Sequence, residues 1–289
     1  MNLRNLVVLI PPLCLVMACS SSGSVESLPP LGEIKEVRSG SDVVLPLDSY
    51  DVTPEERSTL EQIYDLVGSE CMRKKGFKVT LPRRTPESEE SVYGRRYFIL
   101  RMDEAERYGY RPERMMQKPK KTPITGLESK SALREWLGHD PDDQKQDPNE
   151  AKGCGAAAFP VIEKGVKRDS DVVIHDLTGD SWHRSEEDAR VQAVFRRWSA
   201  CMKEAGFKYS SPVESNNDRR WQQKTITDVE ISTAKADVLC KQKTNLAGIW
   251  LAVETAYQKR QIEQHAEALR IRRAAWDIRI RNAHEALGG

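Results

Sequence analysis

The chain has no apolar run long enough to cross a bilayer. Its longest, Leu6 to Met17, is interrupted by Pro11-Pro12 and at about a dozen residues falls short of the ~20 a spanning helix needs. No charge of one sign predominates either. Lys and Arg total 45 against 44 for Asp and Glu, a net charge of +1, whereas a dedicated nucleic-acid binder carries a basic field. Catalytic signatures are missing as well: there is no phosphate-cradling loop, no His-Glu-x-x-His and no Gly-x-Ser-x-Gly elbow. The cysteines contain no close Cys-x-x-Cys pair, which excludes the common zinc arrangements. From Thr227 to Leu287 there is no proline, and Gly248 is the only glycine, so little interrupts a helix there.

What is present begins at the N-terminus. Arg4, the apolar run and Ala18 ahead of Cys19 have the order of a secretory signal. The ending Leu15-Val16-Met17-Ala18-Cys19 resembles the bacterial lipobox, which implies cleavage before Cys19 and acylation of its thiol. Each buried acyl CH₂ contributes about 0.8 kcal/mol, so a multiply acylated cysteine anchors stably. The expectation is an extracytoplasmic protein held on the cell membrane, with the lipid bilayer as its first partner and nucleic acid excluded. Removing residues 1–18 takes one arginine and no acid, leaving 44 charges of each sign. Such a chain has no general attraction to anionic lipid beyond its anchor.

Residues 19–52 carry serine, glycine, proline and alternating charge and read as a flexible tether with one short strand at Val43 to Leu47. Helical signals start at Thr53-Pro54-Glu55-Glu56, an N-cap threonine with a proline and a capping-box glutamate. Leu60, Ile63, Tyr64, Val67 and Cys71 continue at helical spacing to about residue 75. Ser185-Glu186-Glu187-Asp188 signals a second helix, and Thr227-Asp228-Val229-Glu230 a third with a capping box. The third reads either as one helix of ~60 residues, roughly 90 Å long, or as two collinear helices meeting near Asn245 to Gly248. The expected fold is mainly α-helical: a first half at 53–165, a second at 166–289, and a long, coiled-coil-like C-terminal helix.

One motif repeats. Ser69-Glu70-Cys71-Met72, with Gly76-Phe77-Lys78, recurs as Ser199-Ala200-Cys201-Met202, with Gly206-Phe207-Lys208. Glycine placed there ends a helix in the left-handed conformation, and the following phenylalanine packs back on the methionine, a Schellman motif. The motif therefore reads as a helix terminus beside a disulfide. Cys71, Cys154, Cys201 and Cys240 are four thiols in an exported protein and imply two disulfides. The favoured pairs are Cys71 with Cys154 and Cys201 with Cys240, because each closes one half of the repeat; the crossed pairings stay open. Loops of about 80 and 40 residues give about 4 kcal/mol each on a chain-entropy argument. Glu70-Cys71-Met72 with Gly76-Phe77, Cys201-Met202 with Gly206-Phe207, Ala236-Asp237-Val238 before Cys240, and Trp250, Glu254 and Tyr257-Gln258 resemble a group of actinobacterial secreted lipoproteins. The resemblance implies export, disulfides and helices, and brings no catalytic residue.

The remaining chemistry is weak. Val172 to Ser181 superficially resembles a strand leading into the Gly-Asp-Ser of a hydrolase, but the partner His and Asp block is missing, so a turn ahead of a helix at 186 is expected. His175, Asp176, Asp180 and His183 read as a polar loop, and Asp140, Asp142, Asp143, Asp147 and Glu150 as a solvated one, so neither a metal nor another cofactor is expected. Ile262, Ala266, Leu269, Arg273, Trp276, Ile280, Ala283 and Leu287 form a heptad seam interrupted by Arg273. That seam either packs on the protein's own helices or projects as an arm toward an envelope protein or wall polymer. Arg270, Arg272, Arg273, Arg279 and Arg281 give the arm a basic face. The functional expectation is a non-enzymatic binding or structural module of the envelope; a wall-active hydrolase working through carboxylates is the alternative.

Overall fold

The computed structural model describes residues 27–81, 92–116, 124–142 and 152–288. Cys19 and its lipobox lie outside them. The described residues form helices α1 (Pro54–Lys74), α2 (Met102–Tyr108), α3 (Glu113–Met116), α4 (Lys130–Leu137), α5 (Phe159–Ile162), α6 (Ile174–Glu187), α7 (Ala189–Glu204), α8 (Pro212–Asn216), α9 (Asp228–Thr244), α10 (Leu246–Gln264) and α11 (Ala266–Gly288). Among them there is no strand, only one isolated bridge between Thr80 and Thr125. The mainly helical fold is thus as expected, and so is its long C-terminal helix.

Local chemistry sets most helix ends. Thr53 Oγ1 accepts from the Glu56 amide at 3.1 Å while Glu56 Oε2 accepts from the Thr53 amide at 2.8 Å, a complete capping box. Both repeated motifs end their helices identically. The Phe77 amide bonds to the Met72 carbonyl at 2.9 Å and that of Phe207 to Met202 at 2.8 Å. The Gly76 and Gly206 amides reach the Arg73 and Lys203 carbonyls, with φ of 85° and 92°. These are Schellman motifs, and Met72 and Met202 are fully buried beneath them. The disulfides join Cys71 to Cys154 and Cys201 to Cys240, the favoured pairs, closing separations of 83 and 39 residues.

The main core surrounds Trp250, which lies 5.0 Å from Phe195, 5.3 Å from Trp182 and 5.4 Å from Tyr97, measured between ring centroids. Packing of this kind adds about 0.5–1.5 kcal/mol per aromatic pair beyond the area buried. The Trp250 Nε1–H donates to Ser185 Oγ, and that of Trp198 to Asp237 Oδ1, each at 2.8 Å. Asp237 also meets Lys241 Nζ at 3.1 Å, and Lys241 donates to the Ile99 carbonyl at 3.0 Å. Both charges of this pair are buried, so removal of either partner would strand the other in apolar surroundings.

Several expectations are corrected. Residues 27–52 are not a flexible tether. Val37, Val43, Leu45 and Leu47 are buried, and side chains of the helical body clasp the segment's backbone. Arg260 Nη2 donates to the Ser27 carbonyl at 2.6 Å, Arg190 Nη1 to Pro29 at 2.8 Å and Asn245 Nδ2 to Lys35 at 3.3 Å. The Leu47 amide donates to Gln258 Oε1 at 3.1 Å. No strand forms at Val43 to Leu47. The alternation is real, with Val44 71% exposed between buried neighbours, but no partner strand lies beside it.

The turn expected before residue 186 is helix α6. Its N-cap, Val173, offers no side-chain bond, which removes the usual start signal. Ser185 falls in its last turn, and Asp188 caps α7 by accepting from the Arg190 amide at 2.9 Å. The capping box at Thr227 is half made. Thr227 Oγ1 accepts from the Glu230 amide at 3.1 Å, but the buried Glu230 carboxylate turns away to Arg111 at 3.2 Å and to the Tyr110 amide at 3.3 Å. The long C-terminal run is three helices. Asn245 takes a left-handed conformation, φ 47° and ψ 43°, which ends α9. At His265 the chain breaks again, although its amide still reaches the Gln261 carbonyl and its carbonyl the Leu269 amide, both at 2.9 Å. The break coincides with a change of partner: α10 packs on α6 and α7, whereas α11 packs on α1 and α5. The division expected at 165/166 is therefore crossed by α11.

Candidate functional site

The C-terminal seam folds back. Leu269, Ile280 and Ala283 are buried, and Ile280 and Ala283 pack with Leu60, Ile63 and Ile162. Arg273, which interrupts the heptads, turns the gap into a latch: it meets Glu56 at 2.6 Å and donates to the Asp51 carbonyl at 2.8 Å. The expected basic face is largely occupied in the same way. Arg270 pairs with Glu267, Arg272 with Asp51 and Arg279 with Glu163. Only Arg281 of the five lacks a partner among the described residues. A projecting arm is thus replaced by a docked helix, which forms one wall of a cleft.

That cleft, of about 460 Å³, lies between α1, α5 and α11. Helix α1 contributes Arg57, Leu60, Glu61 and Tyr64; α5 contributes Phe159 and Ile162; α11 contributes Trp276 and Arg279. Val52, Glu163 and Asp169 complete it. Asn282 Nδ2 donates to the Ile162 and Lys164 carbonyls, each at 2.8 Å, and so fastens the end of α5 to α11.

Arg279 organises the charged side. It meets Glu163 at 2.7 Å and Asp169 at 2.8 Å, and its Cζ stands 4.8 Å over the Trp276 ring. Burial acts to raise Asp169, but the Ser170 amide and Arg279 outweigh it and hold its carboxyl below the usual range. Burial and then the Glu163 charge push the Tyr64 phenol up. The Trp276 Nε1–H is buried with no partner among the described residues, a state that costs about 1–3 kcal/mol. The Arg57 and Tyr64 side chains likewise have no hydrogen bond to a described residue. The cleft therefore combines aromatic and aliphatic walls with locked ion pairs and a few unused donors. A second hollow, of about 600 Å³, lies beside Ser199, Lys203, Lys208, Tyr209, Ser210 and Glu214. Glu214 there is held by Ser210 and Ser199 by the Tyr209 carbonyl, and the hollow has no apolar wall comparable with the first.

The other sequence candidates fall elsewhere. His175, Asp176, Asp180 and His183 are exposed on α6, and among the described residues no group of three or more His, Cys, Asp or Glu could hold a metal ion. Ser181 is fully buried inside α6, where no substrate reaches it. Asp140 pairs with Arg134 and Asp142 with Lys130, while Asp143, Asp147 and Glu150 lie outside the described residues. Trp276 and Arg279 stood out in the sequence only as seam and basic face. Nothing marked Arg57, Glu163 and Asp169, and Tyr64 stood out only by its helical spacing, since meeting across 116 positions, as Glu163 and Arg279 do, leaves no local signal.

Comparison with family models, with curated proteins and with solved structures returns no match.

Proposed function

We propose that this chain is an exported lipoprotein, anchored through acylated Cys19, whose helical body is a non-enzymatic binding module of the cell envelope with the α1–α5–α11 cleft as its ligand site. The observation that carries this reading is the engagement of the cleft's carboxylates. Glu163 and Asp169 both hold Arg279, and Asp169 is shifted away from the raised value a general acid needs. Two disulfides suit an oxidising compartment, and no helix among the described residues is long and apolar enough to cross a membrane. The likeness of the repeated motifs to actinobacterial secreted lipoproteins supports the same address. Because the chain is clasped from Ser27 onward, only the seven residues 20–26 separate it from Cys19, a reach of at most roughly 28 Å. The body is then held close against the membrane.

The test uses the full-length protein, made in a host that processes lipoproteins. Mass spectrometry of its N-terminus should find an acylated Cys19, and an unmodified cysteine would remove the anchor. Incubated with isolated cell wall, the protein should be retained without releasing soluble fragments. Release of wall fragments would instead establish the carboxylate hydrolase.

A further inference from the structure

The charges of the cleft argue against an ionic ligand. Arg57 and Arg279 stand against Glu61, Glu163 and Asp169, so an anion would find one unengaged guanidinium in a lining of net negative charge. A cation at Glu163 or Asp169 would have to displace Arg279, which is 9% exposed and bonded to both, and Glu61 already has an interaction of its own. What is left for a ligand is neutral chemistry of two kinds. One is aromatic surface: Tyr64, Phe159, which is half-exposed at the cleft, and the part of the Trp276 ring that Arg279 and Arg272 leave uncovered. The other is hydrogen bonding to planar groups fixed by one another. A carboxylate has about four acceptor sites and a guanidinium five donors. The Glu163 oxygens each take one bond from Arg279, at 2.7 and 3.1 Å, which leaves lone pairs available to a ligand in the cleft. An alkyl chain would cover these polar groups without satisfying them. A pyranose does both jobs, with a C–H face to stack on an aromatic ring and hydroxyls that each donate and accept.

We infer that the cleft binds a neutral saccharide, a short stretch of glycan stacked on its aromatic wall and hydrogen-bonded to the Arg279–Glu163–Asp169 array. This inference rests on the binding reading above and names its ligand class. The cleft volume lies within the ~300–1,000 Å³ of small-molecule sites.

The test is calorimetry and tryptophan fluorescence on the full-length protein. The probes are soluble oligomers of N-acetylglucosamine and of glucose, with a fatty acid and a basic peptide alongside. Saturable binding of one oligosaccharide series is expected. Trp276→Leu should weaken it about tenfold through lost stacking, with unchanged helix content by circular dichroism. Arg57→Gln, whose side chain has no hydrogen bond to a described residue, serves as the second variant and should weaken it a few-fold. Binding that neither variant affects would place the saccharide elsewhere and overturn the inference. Saturation by the fatty acid or the peptide alone would overturn the saccharide and keep the binding module. Shortened oligomers in the mixture would overturn the non-enzymatic reading itself, and no binding of either oligosaccharide series would overturn the inference outright.

Discussion

At the scale of single residues, the body is closed by arginines reaching carboxylates across the chain. Arg273 meets Glu56, and Arg279 meets Glu163 and Asp169; Arg190 pairs locally with Asp188, two positions away. Arg273 hydrogen-bonds Glu56 and holds it below its ordinary value of 4.5. Asp169 and Asp188 sit below 3.8 although burial opposes it, because the Ser170 amide with Arg279, and Arg190, outweigh that effect. A carboxyl depressed in the folded state stabilises fully above its unfolded value and loses that contribution as pH falls through the folded one. The melting temperature should therefore be level above about pH 5 and drop steadily below about pH 4. Arg279→Met should flatten part of that drop while lowering the plateau. A level melting temperature down to about pH 3 would show that these pairs contribute nothing. Each arginine is plain in the sequence, but its partner is not, because an exposed and a paired arginine are written alike.

At the scale of elements, the repeated motif is a way of ending a helix. A Cβ added at Gly76 or Gly206 meets nothing within 4 Å, so substitution there is opposed only by the positive φ. Gly76→Ala and Gly206→Ala should each cost about 1 kcal/mol in denaturant unfolding, and the double variant the sum, since the sites share no partner. Neither should change saccharide binding; a loss of binding without a loss of stability would make the motif a ligand signature. Helix ends were legible where a single residue announced them, as at Thr53, Gly76 and Gly206. Helix α6 was not, because Val173 provides no cap and Gly179 lies inside it. Glu230 misled for a related reason: its carboxylate is buried, and the Arg111 guanidinium outcompetes the local amide it would otherwise accept from.

At the scale of the whole molecule, the N-terminal segment belongs to the body. Where Lys35 crosses the start of α10, a Cβ on Gly248 would lie 1.9 Å from the Lys35 carbonyl, so only glycine allows that approach. Limited proteolysis of the native protein should spare residues 29–52. Gly248→Val should release the segment and expose it to the protease, with about 1–3 kcal/mol lost from overpacking. Early cleavage of the unmodified protein between residues 30 and 50 would restore the long tether.

The sequence alone determined the helical class, the helix ends at Thr53, Gly76 and Gly206, the two favoured cysteine pairs and the expectation of a lipid address. These depend on residues within about four positions of one another, or, for the cysteines, on a repeat that assigns each thiol to its half. The tertiary structure decided the rest. It split the C-terminal run at Asn245 and His265, folded α11 onto α1, drew residues 27–52 onto α10 and assembled the cleft. Those outcomes depend on which surfaces meet across a hundred or more positions, where burial and charge pairing act between groups that no local pattern connects.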